Sequence, residues 1–129
     1  MNFNSMIPEL SVFDIERTKK YYRELGFKIE YERTEDKFVF MSFQDSQFMF
    51  EQIHDDGWNI GELVYPLGRG INFSIAVDDI EELYKLVNHL NIELYRELTR
   101  NIYQVNGIEE MQIEFLIQDP NGYLLRFTN

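Results

Sequence analysis

The stretch VFDIERTKKYYRELGFKI, which starts at Val12, returns as VDDIEELYKLVNHLNIEL from Val77. Setting Asp79 on Asp14 puts Val77 on Val12, Ile80 on Ile15, Glu81 on Glu16, Lys85 on Lys20 and Leu90 on Leu25. A chain of 129 residues can build one good core but not two independent ones. The repeat therefore calls for a single fold made of two similar halves.

Each copy opens with alternating residues, PELSV in the first and NFSIAV in the second, which is the period of a strand. Alternation sends Ile7, Glu9 and Ser11 to one face and Leu10 and Val12 to the other, with Asn72, Ser74 and Ala76 matching the first set. An aspartate then caps a helix in each copy. Ile15, Tyr22 and Leu25 share one face of the first helix; Ile80, Leu83, Val87 and Leu90 share one face of the second. Glu82, three residues after Asp79, completes the pattern of a capping box. Gly26 and Asn91 take the left-handed position after each helix, and new strands begin at Phe27 and Ile92.

Turn chemistry at TED (34–36), QDS (44–46), NG (106–107) and DPNG (119–122) predicts hairpins between the strands that follow. These later strands align when Phe40 is set on Phe115, Met49 on Leu124, Phe50 on Leu125 and Glu51 on Arg126, the second copy having a longer middle. Each half reads strand, helix, strand, strand, strand. The expected class is α+β, two tandem βαβββ modules in one domain spanning 1–129. Module one covers about 5–53, a linker about 54–69 and module two about 70–129. The linker, IHDDGWNIGELVYPLGRG, carries the only tryptophan, and a lone indole is costly to leave wet, so it reads as ordered.

A net charge of −11 with no Lys/Arg cluster argues against nucleic acid and against an anionic membrane, and favours a cationic ligand if any charge is read. The absence of cysteine removes disulfides, thiolate nucleophiles and thiolate metal sites. The opening MNFNSM lacks the basic start and apolar run of a secretory signal, so a cytoplasmic protein is expected. Two histidines allow no Ser/His/Asp set: HDD (54–56) reads as a solvated loop, and His89 lies off the apolar stripe of its helix.

IPELSVFDIERTKKYYRELGF, GRGINFSIAVDDIEELY and FLIQDPNGYLLRFTN resemble the vicinal oxygen chelate superfamily, which includes glyoxalase I, extradiol dioxygenases and bleomycin-resistance proteins, and they look most like the bleomycin-resistance branch. The resemblance implies cup-shaped half-barrels around a cavity, dimers that share such cavities, and in enzymatic members a metal on His, Glu or Gln at the first and last strands of each copy. The matching positions here are Ile7, Glu51, Asn72 and Arg126. Ile7 has no donor atom, Asn72 one weak oxygen, and Arg126 a permanent positive charge, which leaves Glu51 as the one credible ligand. The expectation is therefore no metal, no cofactor and no catalytic residue.

What remains is a small-molecule binder of bleomycin-resistance type. It sequesters a bulky, cationic, antibiotic-like or metabolite ligand in a crevice of a homodimer, with Ile7, Glu9, Glu51, Trp58, Asn72, Ser74, Tyr103 and Arg126 as binding residues. Trp58 and Tyr103 would stack on a planar ligand, and Glu51 and Arg126 would meet across the cavity. The competing reading is a lyase, isomerase or oxygenase with an unconventional metal site or none, Glu51 then acting as base.

Overall fold

The computed structural model describes residues 2–129. The chain divides into two compact units at the Leu67–Gly68 bond, each folded as the repeat predicts.

The first unit contains β1 (Glu9–Val12), α1 (Ile15–Leu25), β2 (Lys28–Arg33), β3 (Phe38–Phe43) and β4 (Ser46–Gln52), with a 3-10 turn over Thr34–Asp36. Its four-stranded sheet runs β1-β4-β3-β2, β1 lying parallel to β4 and the other pairs antiparallel. The second unit repeats this with β5 (Asn72–Ala76), α2 (Ile80–His89), β6 (Leu94–Val105), β7 (Ile108–Gln118) and β8 (Leu124–Thr128) in the order β5-β8-β7-β6. Among the described residues, no helix is long and apolar enough to cross a membrane.

Both helices begin where the aspartates predict. The Asp14 carboxylate accepts from the Arg17 N–H at 3.1 Å and Asp79 from the Glu82 N–H at 3.1 Å. Only this half of the expected capping box forms, because Glu82 turns its carboxylate to Lys85. Gly26 and Asn91 are left-handed, as the end of each helix requires.

Each helix buries its apolar stripe on one sheet face. In the first unit, Tyr22 is fully buried with its ring 4.9 Å from Phe27 and 4.6 Å from Phe50. In the second, Tyr84 lies 5.1 Å from Phe115, which in turn packs 5.4 Å from Phe127. The glycine that opens the second unit is demanded by the buried Tyr123: a Cβ on Gly68, at φ +72°, would sit 2.4 Å from its ring.

The strand alignment expected between the copies needs two corrections. Phe40 opposes Met49 on the face away from α1, whereas Phe115 opposes Phe127 on the face that packs against α2, so these phenylalanines are not equivalent. The run FVFMSF is apolar on both faces, and an apolar run that does not alternate cannot define its own register. The second correction concerns β4 and β8. With the capping aspartates taken as equivalent, Glu51 opposite Ser11 corresponds to Thr128 opposite Ala76, and Arg126 opposite Ser74 corresponds to Met49 opposite Glu9. The sequence alignment is two residues out here, a slip that keeps every side chain on its proper face and therefore leaves the hydrophobic pattern unchanged.

The equivalence of the two helix starts is testable. Asp14→Ala and Asp79→Ala should each lower stability by about 1 kcal/mol in urea titrations, while Glu82→Ala should lower it by less, since its side chain does not close the box.

Candidate functional site

The parallel pairing of β1 with β4 brings three polar side chains together. Glu9 lies opposite Met49 and Ser11 opposite Glu51, so Glu9, Ser11 and Glu51 all point away from α1. Their carboxyl groups place Glu9 and Glu51 in hydrogen-bond contact. Past the end of β4 the chain turns back, bringing His54 Nε2 to 3.1 Å from Glu51 Oε1. The Asp56 backbone N–H donates to His54 Nδ1 at 3.2 Å, which leaves Nε2 to carry the hydrogen that Glu51 accepts.

Aromatic side chains and an arginine support this group. Phe38 lies opposite Glu51 and Arg33 opposite Phe38; the Arg33 guanidinium sits 5.0 Å from the Phe38 ring and 5.7 Å from that of Tyr31. Glu9, Glu51, His54, Phe38 and Trp58 are among the residues lining a cavity of about 270 Å³. A larger hollow of about 410 Å³ lies beside the start of α1, but several of its polar groups are already engaged: Lys19 bonds Glu16 and Glu32 at 2.9 Å each, and Gln52 accepts from the Ile15 N–H.

Burial pushes the Glu9 carboxyl above its ordinary 4.5, the negative charge and hydrogen bond of Glu51 push the same way, and Arg33 opposes them. The residue as a whole is exposed, yet its carboxyl group loses water where it meets Glu51.

In the second unit, Arg126 donates from Nε to Asn72 Oδ1 at 3.0 Å and from a terminal nitrogen to Glu114 at 3.4 Å. Ser74 stands opposite Arg126 on the same face. The expected sites therefore fall into two groups, one around Glu9 and Glu51 and one around Asn72, Ser74 and Arg126. Ile7 precedes β1 and is half-buried. Tyr103 belongs to neither group: it pairs with Glu110 on a part of the β6–β7 ribbon that β8 does not reach. Trp58 lines the cavity but is 94% exposed, which overturns the expectation that the lone indole would be kept from water.

His54 was set aside in the sequence as part of a solvated loop. Its signal was the spacing from Glu51: three residues on, and two past the strand end, a side chain can fold back onto the strand it has just left. Among the described residues, no three His, Asp or Glu side chains form a group that could hold a metal ion.

A family model described as the Glyoxalase/Bleomycin resistance protein/Dioxygenase superfamily matches residues 6–127. A superfamily member from Vibrio splendidus 12B01 shares 35% identity over 93% of each chain, with a TM-score of 0.44. A glyoxalase/bleomycin resistance protein/dioxygenase from Alicyclobacillus acidocaldarius shares 25% identity over 97% of this chain and 89% of its own, at a TM-score of 0.68. A bleomycin-binding protein solved in complex with bleomycin shares 20% identity over 98% of both chains, at 0.67. No curated protein matches the chain.

The Glu9 contact has a pH signature. A carboxyl whose folded value is raised contributes stability at low pH and loses it as pH rises through that value. Glu9→Gln removes the charge, so it should raise the melting temperature at pH 7, and the gain should vanish below the ordinary carboxyl value of 4.5. Melting curves at both pH values check this.

Proposed function

Because the chain belongs to the glyoxalase/bleomycin resistance protein/dioxygenase superfamily, we propose that it binds a small molecule and sequesters it without changing it. The observation that carries this reading is the cavity in which the Glu9 and Glu51 carboxyls act on each other and Glu51 accepts from His54, beside an exposed indole. The ligand is a bulky cation with a planar part. Carboxylates meet the charge, Trp58 supplies a face for stacking and cation–π attraction, and the chain's charge of −11 raises the local concentration of cations. Arg126 favours a binder over a metal enzyme: a permanent cation held on the last strand by Asn72 and Glu114 would repel a divalent metal ion there. The solved relative complexed with bleomycin makes that compound the first to try. The protein acts as a homodimer, with the crevice between copies.

One observation favours a second reading. A carboxylate that contacts both a second carboxyl and an imidazole is also the arrangement of a proton-transfer site, with Glu51 as base and Glu9 as the proton donor. In that case the ligand would emerge altered.

Trp58, the only tryptophan, allows a direct test. Bleomycin should quench or shift its emission saturably and raise the melting temperature. At 100 times the dissociation constant the stabilisation is about 2.7 kcal/mol. Salt should weaken the association, and Glu51→Gln should weaken it about tenfold, as expected on losing a hydrogen bond to a charged group. If neither bleomycin nor a panel of planar cations has any effect on emission or melting, the binder reading fails. If a chemically changed product is recovered, and is no longer formed by Glu51→Gln, the second reading replaces it.

A further inference from the structure

The ribbon of β6 and β7 outruns its sheet. β8 pairs with Glu114–Gln118 of β7, and Asn129 extends this edge to Met111 and Ile113 through its backbone and side chain. Beyond that, residues 102–111 form a two-stranded arm closed by Asn106 and Gly107, both left-handed as a tight hairpin turn requires. A lone two-stranded ribbon is marginal in water, and this one exposes apolar side chains on both faces: Ile102 (61%) and Met111 (50%) on one, Val105 (51%) and Ile108 (64%) on the other.

The register assigns every side chain of the arm to a face. One face carries, row by row, Arg100 with Ile113, then Ile102 with Met111, then Gln104 with Glu109. This is an apolar centre with a cation at one end and an anion at the other, the outer rows about 13 Å apart. A face of this kind is complementary to itself when two copies pack face to face and antiparallel. The Ile102–Met111 rows then meet on the twofold axis, and the Arg100 row of each copy lies over the Glu109 row of the other. The opposite face carries Tyr103 and Glu110 with Val105 and Ile108 near the tip. It has no cation, so the same operation brings nothing to offset Glu110.

We propose that the Ile102–Met111 face of the arm is the contact through which two copies of this chain associate, closed by two Arg100–Glu109 ion pairs. Arg100 now pairs with Glu81 of α2, with both side chains about half exposed. An exposed pair of that kind contributes little, so it does not hold the guanidinium back from an acidic partner. The proposal rests on the homodimer of the preceding section and names the surface that forms it.

Sedimentation of the full chain tests the surface and the dimer separately. The wild type should sediment at twice the 15.6 kDa chain mass, and Ile102→Lys at the chain mass with an unchanged far-ultraviolet spectrum. Arg100→Glu and Glu109→Arg should each raise the dimer dissociation constant more than tenfold, because each homodimer then contains two like-charge contacts. An equal mixture of the two variants should recover wild-type affinity, since both contacts in the mixed dimer are opposite in sign. A wild type that is monomeric at tens of micromolar overturns both the dimer and the surface. If the wild type is a dimer, but Ile102→Lys remains one or mixing restores nothing, the dimer stands and this surface is wrong.

Discussion

Everything polar in the first unit depends on β1 lying parallel to β4. The helix that follows β1 returns the chain to the far side of the sheet, and three antiparallel strands then bring β4 back beside the strand where the unit began. Residues forty positions apart become neighbours this way: Glu9 reaches Glu51, and Leu10 shares a core with Phe50. The same closure in the second unit sets Arg126 beside Asn72. The helix stripe supplies the driving force. Tyr22 and Leu25 are buried against the face that carries Leu10, Val12 and Phe50, and the strand alternation that builds that face delivers Glu9 and Glu51 to the other.

The polar face of the first unit is held by opposing terms. Two carboxyls in contact repel when both are charged, and each is flanked by a compensating group: Arg33 for Glu9, the Nε2 hydrogen of His54 for Glu51. The Phe38 and Tyr31 rings lie within cation–π reach of the Arg33 guanidinium.

The parts of the fold legible in the sequence were those governed by local chemistry. Asp14 and Asp79 cap, Gly26 and Asn91 terminate, and Asn106–Gly107 turns, because each depends on a few adjacent residues. Register was less legible. The apolar run of β3 offers no alternation to anchor Phe40, and a two-residue slip in β4 against β8 satisfies the same pattern. At the site, Glu9 could be named because a strand's period assigns faces, and Glu51 because the family resemblance points to the last strand of each copy. His54 could not be placed, because the loop after Gln52 has no period, and Trp58 was misjudged because a lone indole can be left in water when it borders a cavity.

The offset between Glu51 and Arg126 has a consequence for how a duplicated fold diverges. A strand can move its chemistry only in strides of two residues, about 6.6 Å, if its buried face is to remain intact. Each half of such a protein is then a rail with a few permitted stops, and a gene copy can shift its polar group by one stop while the packing beneath is conserved. The first half has stopped level with Ser11 and the second level with Ser74. Two halves that began as duplicates can in this way come to carry inequivalent groups, an acid at one depth and a base at another, with no change of architecture to record the step.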